Sequence, residues 1–274
     1  MGHVGVAIFF SLSGYLITSR LVEEYNVTGR ISLRNFYIRR AFRILPPALF
    51  YLTTLWALSW LRIVICSRRA ILSALFLYAN YADLEGTGWR AGHFWSLSVE
   101  EHFYLLWPAF LIVLGVRKGW RTAAILAIAI GLWRILDDHF HILAQTFNDP
   151  FLSHDANRTD LIADALLWGC CLSFWLRPPL RELLSPVRST ALAIAAAGSI
   201  VGILFWHVSH MQIPLNLLPT VLLAAIVAAP NAAIGRILEH SVLRFIGRLS
   251  YSLYIWQQLF LGGPVRHYLI RSLP

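Results

Sequence analysis

Val4-Gly-Val-Ala-Ile-Phe-Phe-Ser-Leu-Ser-Gly-Tyr-Leu-Ile-Thr-Ser-Arg-Leu21 opens the chain as an apolar run whose one charge, Arg20, stands at its far end. A run of about 17 to 25 such residues is long enough to cross the hydrocarbon of a bilayer as a helix. Similar runs follow at Ile44–Leu61, Phe103–Val116, Thr122–Leu136, Leu161–Leu176, Ala191–Trp206, Pro214–Ala229 and Phe245–Gly262. Hydrophobic residues make up 58% of the 274, charged residues 14%, and mean hydropathy is +0.62. Water-soluble domains are nearer half apolar and a quarter charged, so this chain has too few charges to cover a water-facing surface. The expected fold is all-α: a polytopic membrane helix bundle of about eight spans.

Charge placement sets the expected orientation. Of the 23 basic residues only Lys118 is lysine, and they outnumber the 14 acids. In so apolar a chain this excess marks topology rather than nucleic-acid binding. Arg20, Arg30, Arg34, Arg39, Arg40 and Arg43 mark a cytoplasmic loop, as do Arg117, Lys118 and Arg121, and again Arg177, Arg181 and Arg188. The acidic stretch Asp137–Asp160 falls on the far side. Between Arg43 and Arg117 parity allows one return crossing, so the short run Ala70–Tyr81 is expected to be a re-entrant or surface helix. Both termini then lie outside. A single integral-membrane domain over 1–274 is expected, incomplete at both ends, in the inner (plasma) membrane and in contact with the lipid bilayer along most of its length.

Charges inside apolar runs are costly and are candidates for function. In His93-Phe-Trp-Ser-Leu-Ser-Val-Glu-Glu-His-Phe-Tyr104, Glu100 and Glu101 stand at the start of a span, and a helix would put His93 two turns before Glu100 on one face. A histidine oriented by a carboxylate can act as general base, whereas an aromatic belt of Trp95, Phe103, Tyr104 and Trp107 with water-facing glutamates is the plainer alternative. Arg39, Arg40 and Arg43 fall one turn apart and can grip phosphates, or serve only as positive-inside charge. The Pro46-Pro47 pair suits a helix start. Arg158 and Asp160 can pair at a span mouth, with Asp164 deeper and facing the protein interior. Ser250, Tyr254 and Gln257 share one helical face, a polar stripe suited to interhelical hydrogen bonds. Cys170 and Cys171 read as small packing residues. No metal site is expected: His139, His141 and His154 with their neighbouring aspartates match no standard spacing.

Read in order, four segments resemble the family-3 membrane acyltransferases, the O-acetyltransferase type acting on O-antigen, peptidoglycan or Nod factors. They are Ile8-Phe-Phe-Ser-Leu-Ser-Gly-Tyr-Leu-Ile17, Phe36-Tyr-Ile-Arg-Arg-Ala-Phe-Arg-Ile-Leu-Pro46, Phe94-Trp-Ser-Leu-Ser-Val-Glu-Glu-His-Phe-Tyr-Leu-Leu-Trp-Pro108 and Ser250-Tyr-Ser-Leu-Tyr-Ile-Trp256. The resemblance implies an acyl-CoA, commonly acetyl-CoA, as cytoplasmic donor substrate with no bound cofactor, and a sugar or cell-envelope hydroxyl as acceptor. It implies that Arg39, Arg40 and Arg43 meet the coenzyme phosphates, and that Glu100, Glu101 and His93 carry the chemistry. Trp95, Ser96, Arg158, Asp160, Ser250 and Tyr254 would support the site. Two departures stand out. The family's first span, with its Arg and later His, and its last span are both expected to be missing. Gln257 also stands where members carry a histidine. A transporter or flippase-like protein, or an inactive truncated relic, are the alternatives; the four motifs form no internal repeat, which a transporter would favour.

Overall fold

The computed structural model describes residues 2–82, 88–142, 145, 157–176, 185–205 and 212–261. Among them the regular structure is helical. Five helices are long and apolar enough to cross a membrane: Val4–Thr28, Leu33–Trp60, Trp89–Leu114, Val116–Phe140 and Pro186–Phe205. Asp164–Trp175 and Leu215–Ala228 are apolar but shorter. The expected total of eight is reached only by adding these two and the final helix, Ser241–Phe260. Many large apolar side chains point outward, among them Phe50, Leu105, Val113 and Ile125. Such surface is stable against hydrocarbon and costly against water.

The chain forms two compact units, interleaved along the sequence. The first comprises Met1–Ile31, Phe103–Phe140 and Asp160–Arg244. Its helices are α1 (Gly2–Thr28), the second half of the helix Phe94–Leu114, Gly119–Phe140, the short Thr159–Ile162 turn, Asp164–Trp175, Pro186–Phe205, Gln212–Ala228 and Ala233–Leu238. Asp164–Trp175 is the hub, packed on α1, on Gly119–Phe140 and on Gln212–Ala228, and most of its residues are buried. Two glycines make its crossing with α1 close: a Cβ on Gly14 would collide with the Leu166 carbonyl, and one on Gly169 with the Ser11 carbonyl. Small residues let membrane helices approach to this distance. Polar bonds add to the seam. The Ser11 hydroxyl donates to the Ala165 carbonyl at 3.4 Å, Thr220 donates to Ser11 at 3.0 Å, and the Trp107 indole N–H donates to Thr18 at 2.8 Å. Cys170 and Cys171 are buried, unbridged packing residues in this seam, as expected. Because the clash at Gly169 is with backbone, Gly169→Ala should destabilise the protein by about 1–3 kcal/mol, read as an earlier midpoint in detergent unfolding. A wild-type midpoint would mean the crossing is looser than drawn.

The second unit comprises Ser32–His102, His141–Thr159 and Phe245–Pro274. We label its helices after α1 in chain order: α2 (Leu33–Trp60), α3 (Arg68–Leu75), α4 (Trp89–Gly92) and α5 (Phe94–Leu114, of which this unit takes the residues to His102); Ser241–Phe260 supplies its last helix. The Arg20–Arg43 stretch, expected as a loop, is helical except at its middle. α1 runs to Thr28, Gly29 turns the chain at φ 72°, and Ser32 caps α2 by accepting from the Asn35 amide at 3.4 Å. A positive φ at such a stop favours glycine. Pro46 and Pro47 lie inside α2 rather than at its start. They remove two amide donors but do not end the helix, since it starts at the Ser32 cap about four turns upstream. The short run Ala70–Tyr81 is, as expected, no span: α3 is eight residues, capped by Ser67 at the Ala70 amide, followed by a 3-10 turn at Ala79–Tyr81.

The expected marker residues Arg177 and Arg181, the loop residues Asp149, His154 and Asp155, and the chain end beyond Gly263 lie outside the described residues.

Candidate functional site

The second unit gathers most of the residues singled out from sequence. α4 and α5 form one nearly continuous run from Trp89 to Leu114, 26 residues long, and His93 joins them with helical dihedrals. The Glu pair therefore lies near the middle of this run and not at its mouth. At 1.5 Å per residue, Glu100 is roughly 16 Å from the start at Trp89. The reason is that the polar stretch before Phe103 is itself helical, so the helix begins well before its apolar run.

His93 is the most unusual side chain here. It is 7% exposed, and neither ring nitrogen makes a hydrogen bond of good geometry, although the Ile255 backbone lies near the ring. Aromatic rings enclose it. Tyr51 stands edge-on at 5.4 Å, Phe94 at 4.9 Å and Tyr254 at 5.5 Å between centroids. The box is fixed by polar bonds made with backbone. The Tyr254 hydroxyl donates to the His93 carbonyl at 2.9 Å and lies 2.5 Å from the Ser96 hydroxyl, which itself reaches that carbonyl at 3.2 Å. The Tyr51 hydroxyl donates to the Arg90 carbonyl at 2.6 Å. Trp256 closes the box behind Tyr51, edge-on at 5.5 Å. The last helix is fastened to α4 by Gln258, which donates to the Trp89 carbonyl at 3.1 Å, and by Arg90, which donates to the Leu259 carbonyl at 3.0 Å.

The carboxylate expected to orient His93 does not do so, because the imidazole turns into the aromatic box instead. The glutamates face a different neighbour. Glu100 is buried at 3% exposure, and one oxygen of Glu101 is buried without a hydrogen bond. The cation whose charge acts on Glu101 is Arg40 of α2. Tyr251 lies within electrostatic reach of both glutamates and of Arg43, and its hydroxyl donates to the Ile44 carbonyl at 2.9 Å. Arg40, Arg43, Tyr251, Glu100 and Glu101 thus form one electrostatic cluster. Arg39 and Arg43 are solvent-exposed and Arg40 is half-buried.

The late stripe is displaced by one residue. Ser250 is exposed and bonds only within its own helix, to the Gly247 carbonyl, and Gln257 is exposed. Tyr251, Tyr254, Ile255 and Gln258 make the packed face. Trp95 is half-buried on α5.

A second constellation lies in the first unit. Arg134 donates to Asp164 at 2.6 Å, and Asn216 donates to the other Asp164 oxygen at 2.7 Å. Asp164 does face inward, at 1% exposure. Next to Arg134, the Trp133 indole donates to Asp160 at 2.8 Å. Arg158, which belongs to the second unit, is wholly buried.

Comparison with known proteins decides the family. The acyltransferase domain model matches residues 1–272. The chain belongs to this acyltransferase family. A peptidoglycan O-acetyltransferase of Listeria monocytogenes is 32% identical over 93% of the chain and 44% of its own length. A candidate O-acetyltransferase of Staphylococcus aureus is 30% identical over the whole chain and 48% of its own length. A candidate peptidoglycan O-acetyltransferase of Bacillus subtilis is 29% identical over 97% and 45%. The chain therefore spans about half the length of the curated relatives it matches. No solved structure matches with comparable significance.

In this acyltransferase chain, sequence reading missed Tyr51, Arg134, Asn216 and Thr159. Arg134 carried a signal, since it is a charge within the apolar run Thr122–Leu136. The others did not, because a single hydroxyl or amide in an apolar run is common. Among the described residues no three His, Cys, Asp or Glu side chains cluster as metal ligands would.

Proposed function

We propose that this chain transfers an acyl group, most simply acetyl, from acyl-CoA to a hydroxyl of a cell-envelope carbohydrate, in the plasma membrane. The relatives named for peptidoglycan O-acetylation support the acceptor class, and the exposed Arg39 and Arg43 beside half-buried Arg40 support a phosphate-bearing donor. The observation that carries the reading is His93: a buried imidazole, enclosed by aromatic rings, neither of whose nitrogens makes a hydrogen bond of good geometry. Leaving a buried polar group unsatisfied costs about 1–3 kcal/mol, and such groups are rare unless they serve a purpose.

In the proposed reaction the His93 imidazole accepts the proton of the acceptor hydroxyl as its oxygen attacks the thioester carbonyl. A C–O bond forms, the C–S bond breaks, and the proton passes from His93 to the departing CoA thiolate. The Glu100–Glu101 pair, carried on the same helix as His93, lies within electrostatic reach of Arg40. Arg40 couples that carboxylate pair to the donor-binding arginines.

Donor binding is separable from chemistry. The double change Arg39→Ala with Arg40→Ala should raise the apparent KM for acyl-CoA, with each lost charge-assisted bond worth about 1.5–3 kcal/mol. The wild-type advantage should shrink as salt rises. An unchanged KM would assign these arginines to topology alone.

A further inference from the structure

Two histidines flank the Glu pair, and their surroundings are opposite. Neither His93 nitrogen makes a hydrogen bond of good geometry. His102 has polar partners around its ring: Nδ1 lies 2.8 Å from the Thr159 hydroxyl, and the Leu77 backbone approaches the ring. Thr159 also accepts from the Asn80 side-chain amide at 2.9 Å. A hydroxyl has one proton and two acceptor sites. Accepting from Asn80 leaves Thr159 its own proton and one further acceptor site, and a neutral ring that donates through Nε2 toward Leu77 takes that proton at Nδ1. The imidazole proton then sits on Nε2, toward the backbone of Leu77. The Asn80 Nδ2, the Thr159 hydroxyl and both His102 ring nitrogens are then each used, with the ring neutral, while Asn80 Oδ1 makes no hydrogen bond.

Leu77 is held for this role. It has φ 59°, the left-handed region that costs a non-glycine residue about 1 kcal/mol or more. It is pinned there by its own amide on the Ala74 carbonyl at 3.3 Å and by the Tyr78 amide on the Ser73 carbonyl at 2.9 Å. Asn80 is wholly buried on the 3-10 turn that follows. The non-spanning segment after α3, otherwise without a role, thus ends in two residues aimed at one clamp. Tyr81 lies tilted against His102 at 6.2 Å between ring centroids, and Glu101 is the chain neighbour.

We propose that His102 is a positioning residue and no proton carrier: as a neutral ring of fixed tautomer it fastens the α3 turn, through Leu77 and Asn80, and the Arg158-bearing segment, through Thr159, to the helix that carries Glu100 and Glu101. The proposal rests on the acyl-transfer reading for its activity readout. A shift of about 1 Å at a reacting group can cost on the order of a hundredfold in rate, so loosening the clamp reaches the site without touching substrate.

The test uses four single variants and one double variant of the protein in membranes, with labelled acetyl-CoA as probe, and melting in detergent as a second readout. His102→Gln keeps a donor and an acceptor, and Thr159→Ser keeps the hydroxyl. Both should hold turnover within about threefold of wild type with an unshifted pH–rate profile. His102→Phe and Thr159→Val should each lose roughly tenfold or more and lower the melting temperature, and their combination should be no worse than the worse single change, as expected for one shared interaction. Loss of turnover or a shifted profile in folded His102→Gln would make His102 a proton carrier and overturn the proposal. Full activity in His102→Phe, or additive melting losses, would overturn it equally. If wild type transfers no acetyl group, the functional reading fails, while the melting cycle still decides whether the clamp exists.

Discussion

His93→Gln should leave the protein in the membrane at wild-type level and lower acyl transfer by about 10²–10⁴-fold, the usual contribution of a positioned general base. The magnitude follows from what the substitution changes. Glutamine approximates the size of imidazole and can sit among Tyr51, Phe94 and Tyr254, but it cannot take up a proton. The backbone bonds that hold the box, from Tyr254 and Ser96 to the His93 carbonyl, do not depend on the side chain. Folding should therefore survive. Donor KM should also survive, because Arg39, Arg40 and Arg43 belong to α2. Retention of more than a tenth of wild-type turnover would remove His93 from the proton path.

Arg134→Met is expected to have the largest effect on stability. It leaves Asp164 buried with Asn216 as its remaining side-chain partner. Removing one member of a buried ion pair costs about 3–5 kcal/mol, whereas replacing both members is far milder. So Arg134→Met should cut membrane abundance and melting temperature sharply, and Arg134→Met with Asp164→Asn should recover a large part of both. Two guanidinium nitrogens, Nε and Nη1, already lack partners, which makes the double replacement milder still. A double variant less stable than the single one would show that the charges contribute more than they cost.

Much of this molecule was legible before its structure. The apolar runs became helices because hydrocarbon-length segments without backbone partners outside themselves have little alternative. Asp164 inside and the short α3 segment followed from charge cost and from length. The misplacements have physical causes too. Reading the span from Phe103 set Glu100 and Glu101 at a mouth, because serine and glutamate lower hydropathy without breaking a helix. Pro46-Pro47 looked like a start, yet a helix already nucleated at Ser32 tolerates them. Ser250 and Gln257 looked like the polar face, but the tyrosines are the side chains long enough to reach Ile44 and His93, so the packed face is set by Tyr251 and Tyr254. Partners far apart in sequence, such as Asp164 with Asn216 or His102 with Thr159, leave no local pattern at all. They appear only once the helices are packed.

The most direct measurement is transfer itself. Membranes carrying the protein would be incubated with acetyl-labelled acetyl-CoA and cell-envelope carbohydrate, and label released by mild base would be counted as O-ester. The expected result is O-ester label that depends on the protein and falls to background with His93→Gln at equal membrane abundance. Absence of O-ester label with the wild-type protein, or equal label with His93→Gln, would contradict the account.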